Sequence, residues 1–206
     1  MSRAQGLLGQ TTVRKYEIET EPHKRRKLAQ AVPFNKRTIR RLTMPTRRLR
    51  DFLDGHKIRY KVINHSSAYS ALEAAQSAHI SGREIAKTVI LKFENTTVMA
   101  VLPASSRINF EFFKALYDTQ YVRLATEDEI RIMFPDCEIG AMPPFGNLYS
   151  IDVCVAQQLT EDDEIAFNAG NFHQLLQMKY TDFERLVRPI VLDFALEVSE
   201  FEGRLI

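Results

Sequence analysis

The sequence predicts an α+β domain with a largely antiparallel or mixed sheet and flanking helices. Residues 88–93 and 96–102 are apolar and rich in β-branched side chains, and the turn-prone pair Glu94-Asn95 separates them, which is the pattern of a hairpin. Strands and helices follow as strand, strand, helix, without the repeated βαβ units of a parallel sheet. Three Ser/Thr-x-x-Glu spacings, Ser70 with Glu73, Thr126 with Glu129 and Thr181 with Glu184, supply the capping boxes that start helices.

The first helix is expected between Thr43 as its cap and Gly55 as its stop. Pro45 fits its first turn, where a missing N–H costs nothing, and Leu49, Phe52 and Leu53 fall on one face. A strand over residues 59–64 should follow, then the Ser70 helix, running through His79 and ended by Ser81-Gly82. The hairpin places Lys87 at the beginning of its first strand. Asn109 opens a helix whose Phe112, Phe113 and Leu116 should face the core. Shorter strands are expected over residues 121–125, 138–142, 151–156, 164–168 and 175–178. The chain has no internal repeat.

With 206 residues, 45% of them hydrophobic, the chain can fill one good core. No run approaches the roughly 20 apolar residues that span a bilayer. The N-terminus, basic and without an apolar stretch, is not a secretory signal, so a cytoplasmic monomer without a membrane partner is expected. Cys137 and Cys154 form neither a C-x-x-C pair nor a metal-ligand spacing with the five histidines. Neither zinc nor a disulfide framework is expected, and both read as small core residues.

The segment Gly140-Ala141-Met142-Pro143-Pro144-Phe145-Gly146-Asn147 is apolar yet cannot be regular structure. Two adjacent prolines fix φ and remove two donors, and the glycines permit backbone conformations closed to other residues. Such a loop either packs as a turn under a hydrophobic lid or presents stiff backbone groups to a ligand. Lys87 interrupts the apolar run Ile85-Ala86-Lys87-Thr88-Val89-Ile90-Leu91; its ammonium either snorkels to the sheet edge or holds an anion. There is no G-x-S-x-G elbow, P-loop, H-E-x-x-H or G-x-G-x-x-G after a strand. His65 and His173 could be general bases or structural residues beside turns. The acidic clusters 127–129 and 161–164 suit helix starts and solvated turns.

Three stretches together resemble a known family: Gly82-Arg83-Glu84-Ile85-Ala86-Lys87-Thr88-Val89, Val98-Met99-Ala100-Val101-Leu102-Pro103-Ala104, and the Gly140–Asn147 loop. Their order and spacing are similar to those of the YbaK/prolyl-tRNA-synthetase-associated editing domain, over about residues 44–193. His65, the run Leu124-Ala125-Thr126-Glu127-Asp128-Glu129, and Phe167-Asn168-Ala169-Gly170 with His173 extend the likeness. The resemblance implies a curved mixed sheet with flanking helices. It also implies an aminoacyl-tRNA deacylase, a hydrolase that cleaves the ester of mischarged tRNA in trans through substrate hydroxyls and backbone groups. No cofactor or metal is expected; the partners would be the tRNA acceptor end and an aminoacyl-tRNA synthetase.

By the same resemblance Lys87 matches the family's key lysine, near the terminal phosphate and ribose. Gly140, four residues before Pro144, matches the first position of a G-x-x-x-P element whose backbone positions the aminoacyl end. Met142, Pro143, Pro144, Phe145 and Gly146 would shape the loop and pocket wall, with His65 beside them and Arg107 reaching a phosphate. Pro143 stands where other members carry serine, and Ser105-Ser106-Arg107 replaces a glycine and an acid often seen there. The rival expectation is a non-catalytic module that binds tRNA, a nucleotide or a synthetase in the same pocket.

The net charge of +2 hides an asymmetry. Residues 1–50 hold 14 Lys and Arg against Glu17, Glu19 and Glu21, a charge of +11, and the remainder carries −9. Residues 1–43 read as a basic, extended or weakly helical extension, and residues 44–206 as the editing domain. Basic arms bind phosphate backbones in a salt-dependent way. A variant starting at Met44 is therefore expected to fold and, at saturating tRNA, to keep the full chemical rate. In a titration across salt concentrations it should bind more weakly at low salt, with a flatter slope of log K against log salt. Unchanged binding and slope would make the arm a passenger.

Overall fold

A computed structural model describes residues 45–65, 73 and 81–197. The chain orders itself around α1 (Pro45–Gly55), β1 (Tyr60–Asn64), β2 (Ile85–Lys92), β3 (Thr97–Pro103), β4 (Ser106–Ile108) and α2 (Phe110–Leu116). There follow β5 (Arg123–Leu124), α3 (Glu127–Met133), β6 (Asp152–Ala156), β7 (Glu164–Asn168), β8 (Gln174–Lys179), α4 (Tyr180–Val187), β9 (Ile190–Leu192) and β10 (Ala195–Glu197). Eight strands form one mixed sheet in the order β1-β8-β7-β2-β3-β6-β9, with β5 also on β2; β10 and β4 form a second, two-stranded sheet. The α+β class with a mixed sheet and flanking helices is what the structure shows. No helix among the described residues is long and apolar enough to cross a membrane.

The hairpin forms as its pattern requires. β2 and β3 pair antiparallel without interruption from Ala86 with Pro103 to Lys92 with Thr97, and the Phe93 N–H closes the turn on the Thr96 carbonyl. Both strands are buried on two sides, so their side chains divide by parity. Ala86, Ile90, Met99, Val101, Val153 and Val155 face a core that α1 completes with Leu49 and Leu53 and α4 with Phe183. Leu91, Val98, Ala100, Leu102, Cys154 and Ala156 face a second core, closed by Phe113 of α2 and by Phe194.

Several expected elements differ in the structure. In α2 the Asn109 side chain accepts from the Phe112 N–H as expected, yet Leu116 is half exposed. The first turn makes the core contact, with Phe110, Phe112 and Phe113 packed together and Leu116 left at the helix end. The strand expected over 121–125 shortens to two residues, because β2 offers only Leu91 and Lys92 to pair with Leu124 and Arg123. No strand forms over 138–142: Gly140 takes a φ of +93°, which breaks the extended run. The capping box at Thr126 forms in full, and Arg123 adds a bidentate pair to Glu129 at 2.7 Å. The box expected at Thr181 does not. α4 follows β8 directly, Lys179 is its N-cap without a side-chain bond, and the Tyr180 N–H is satisfied by the Asp163 carbonyl. Strands β4, β9 and β10 had no counterpart in the sequence reading. The helix expected from Ser70 lies outside the described residues except for Glu73, which is helical; so does the basic extension.

These caps give a paired test. Thr126→Ala should lower unfolding free energy by about 1 kcal/mol, whereas Thr181→Ala should change it by only a few tenths, as an exposed helical position does. Urea unfolding of both variants measures the difference, and equal losses would contradict the observed helix starts.

Candidate active site

β2 has two edges, and they are used unequally. β3 covers one edge from end to end. On the other, β7 runs parallel beside Ile85 and Ala86 and stops, and β5 picks up only at Leu91. The Ala166 N–H donates to the Glu84 carbonyl and the Ala125 N–H to the Ile90 carbonyl. Backbone groups of even-numbered residues therefore point to this side, so the Thr88 amide and carbonyl face an interval between two strands that do not meet.

Lys87 lies at that interval. Its side chain is half buried, on the face opposite Ala86, and its Nζ donates to the Ala104 carbonyl at 3.1 Å and the Ser106 carbonyl at 2.5 Å. An ammonium has three donors, which leaves one for another acceptor. Burial lowers the Lys87 pKa below the ordinary lysine value, and the charge of Arg107 lowers it further. Arg107 itself is exposed on β4, paired across to Leu196. Two cations thus stand within electrostatic reach of one another, one half buried and one at the surface, an arrangement that favours an anion between them.

The loop of residues 140–146 is held differently at its two ends. Gly146 is buried and starts a short 3-10 turn, Gly146–Leu148. A Cβ there would meet the Ile151 carbonyl oxygen at 2.4 Å and the Val153 Cγ2 at 2.6 Å, so no larger residue fits. The Arg48 guanidinium donates to the Leu148 carbonyl and stacks on the Tyr149 ring, 4.8 Å from its centroid. Phe145 is fully buried: its ring meets Phe52, Phe167 and Phe183 at centroid distances of 6.0, 5.6 and 5.7 Å. It sits in the core as a support for the loop. Met142, Pro143 and Pro144 are buried as well. Gly140, by contrast, is exposed, and among the described residues its N–H reaches only the Met142 sulfur, at 3.2 Å, a weak acceptor.

What joins the lysine strand to the glycine loop is the turn after β7. Asn168, the last residue of β7, stands one register step past the Ala86–Phe167 pair and so beside Lys87, on the same face. Two residues on, the Gly170 N–H donates to the Ala141 carbonyl and the Gly170 carbonyl accepts from the Glu138 N–H, both at 2.9 Å. The Phe172 N–H donates to the Glu138 carboxylate at 2.9 Å, and the Phe172 ring lies against Gly140, 3.3 Å from where a Cβ would be. His65 and His173 extend the β1–β8 pairing by one step, the His65 N–H bonding the His173 carbonyl at 3.0 Å. Gly140, His65 and His173 are therefore tied to one turn, and Lys87 lies one register step from the end of the strand that leads into it. The thiols of Cys137 and Cys154 are pushed up to about 12 by burial and are no nucleophiles at neutral pH.

The sequence alone assigns no role to Asn168; the signal it offers is a polar side chain at the end of an otherwise buried strand, directly before Ala169-Gly170.

Comparison with known proteins gives a consistent picture. The family model described as the aminoacyl-tRNA editing domain matches residues 65–186, more than half of the chain. The Multifunctional Ser/Thr-tRNA deacylase ProXp-y of Escherichia coli strain K12 is 24% identical over 140 residues, covering 66% of this chain and 83% of that protein. Among solved structures, the hypothetical protein APE2540 has a TM-score of 0.65 at 21% identity, covering 71% of this chain and 98% of its own. A protein proposed as a trans-editing enzyme for prolyl tRNA synthetase matches with the same TM-score and identity, over 75% and 98% of the two chains. These structural likenesses show a shared fold.

The crowding at Gly146 predicts that Gly146→Ala costs about 1–3 kcal/mol of stability. A Cβ at Gly55 would meet nothing within 4 Å, so Gly55→Ala should be neutral or stabilise by up to about 1 kcal/mol. Denaturant unfolding distinguishes the two, and a neutral Gly146→Ala would overturn the packing described for the loop.

Proposed function

We propose, since the chain belongs to the aminoacyl-tRNA editing domain family, that it removes wrongly attached amino acids from tRNA in trans by hydrolysing the ester at the 3′ end. One observation carries the reading: a half-buried ammonium with a spare donor lies at a strand edge that no described residue pairs, and the strand ending beside it leads into the turn that holds an exposed glycine amide with a weak partner. The E. coli relative is named for action on Ser/Thr-tRNA, which supports the reaction class.

In this reading Arg107 and Lys87 hold the acceptor end, Arg107 at a phosphate and the spare Lys87 donor at an oxygen of the ribose or ester. The Gly140 N–H exchanges its sulfur contact for the ester carbonyl oxygen, where negative charge develops as water attacks. The C–O bond to the ribose then breaks, the ribose oxygen leaves with a proton, and the products are a free amino acid and a tRNA with an intact 3′ end. Met142, Pro143, Pro144, Phe145 and Gly146 act by fixing the loop backbone, and His65 by bracing the turn. A pocket that excludes by size alone separates amino acids differing by one methyl group by only about 1–3 kcal/mol, which explains the need for a separate editing step.

The experiment is a panel of tRNAs charged with alanine, serine, cysteine, threonine and proline, with ester loss followed over the spontaneous rate. At least one should be cleared. If all bind and none is cleared, the chain is a binding module. Lys87→Ala should lower kcat/KM by about 10²- to 10³-fold while circular dichroism and unfolding show a folded protein; full activity in that variant would remove Lys87 from the site. Since activity needs the protonated amine and its pKa is lowered, activity corrected for spontaneous loss should fall on the alkaline side below the ordinary lysine value of 10.5.

A further inference from the structure

Asn168 is one of two buried polar residues among those described, 8% exposed, and the other is Ser106. Its Oδ1 is buried and has no hydrogen-bond partner among the described residues. A buried acceptor left without a donor is unfavourable, so the fold carries this one at a loss unless something arrives to satisfy it. The parallel ladder ends at Ala86 with Phe167, and the turn that follows Asn168 is the one bonded to Ala141 and packed on Gly140. Asn168 therefore stands beside Lys87 in the strand register and two residues before the glycine that bonds the loop.

We propose that Asn168 reads a hydroxyl group on the amino acid being removed, so that the substrates are tRNAs charged with hydroxyl-bearing residues of the serine and threonine type. The inference rests on the deacylase reading given above. Three features select that group. An amide oxygen accepts and so repels a phosphate or carbonyl oxygen, which excludes most of the ligand's surface. The substrate's own α-ammonium is a poor occupant beside Lys87 and Arg107, whose charges oppose a third cation; a neutral hydroxyl donor is favoured. Burial also increases along the site, from exposed Arg107 and Gly140 through half-buried Lys87 to Asn168. That gradient matches a ligand entering with its amino-acid end first, phosphate outermost and side chain deepest. A site with a buried acceptor discriminates strongly against an analogue lacking the donor, because the acceptor is then left unpaired.

The test compares the wild type, Asn168→Leu and Asn168→Asp on seryl-, threonyl- and alanyl-tRNA. Leucine keeps the volume and removes the acceptor; aspartate keeps an acceptor. Asn168→Leu should lower kcat/KM on the seryl and threonyl substrates by about tenfold to hundredfold and change the alanyl substrate by less than about twofold, with Asn168→Asp retaining most of the preference. Equal losses on all three would mean that Asn168 contacts the shared adenosine or only holds the turn, and no loss on any would also overturn the proposal. Binding of stable amide analogues of seryl- and alanyl-adenosine, measured by calorimetry, separates this inference from the chemistry. A seryl preference that Asn168→Leu abolishes would stand even if no ester were cleaved, and the failure would then belong to the deacylase reading. No preference in the wild type would sink the Asn168 assignment whatever the activity.

Discussion

The strand β2 must satisfy two rows of backbone groups, and its neighbours satisfy only one row completely. β3 does so because the hairpin is local and its register is fixed by a short turn. The other side is shared between β7, which arrives from far along the chain, and β5, which is two residues long. The interval between them is the structural origin of the candidate site. Lys87 and Asn168 take their positions from where the parallel ladder ends, and the Gly140 loop is held against the turn that this ending forces.

Lys87 shows how structural support and a proposed role in the site can rest on one group. Two of its donors fix the connection between β3 and β4 through the Ala104 and Ser106 carbonyls, and β4 in turn carries Arg107. The same ammonium thus orders the strand that bears its companion charge. The alternatives open in the sequence, a snorkelling lysine or an anion holder, are for this reason compatible: the side chain reaches the sheet's edge, and there it has carbonyl partners and a donor to spare.

Much of the fold was legible because its signals are local. The alternation along 88–93 and 96–102, the Thr126 box and the Asn109 cap each depend on residues a few positions apart, and all three appear in the structure. The failures share the opposite cause. Thr181 has the right spacing, but the chain entering from β8 and the distant Asp163 carbonyl set the helix start. Residues 138–142 have strand-like side chains, but the Gly140 backbone and the bonds to Gly170 decide their path. In the site, Lys87 and the Gly140 loop stand out by composition. Phe145 was expected at a pocket wall and packs among three aromatic rings contributed by α1, β7 and α4. The role proposed for Asn168 depends on an atom without a partner among the described residues, which no pattern in one dimension records.

The unequal anchoring of the 140–146 loop separates two kinds of tolerance to change. At Gly146 the neighbouring carbonyl and valine leave space for hydrogen alone, so drift at that end is a change to the sheet itself. Gly140 is solvent-facing, and what favours glycine there is its φ of +93° more than lack of room. A side chain added at the entrance meets one aromatic ring and a strained dihedral angle, whereas one added at the exit meets the backbone of the sheet, so a small local adjustment accommodates the first and only a movement of the sheet accommodates the second.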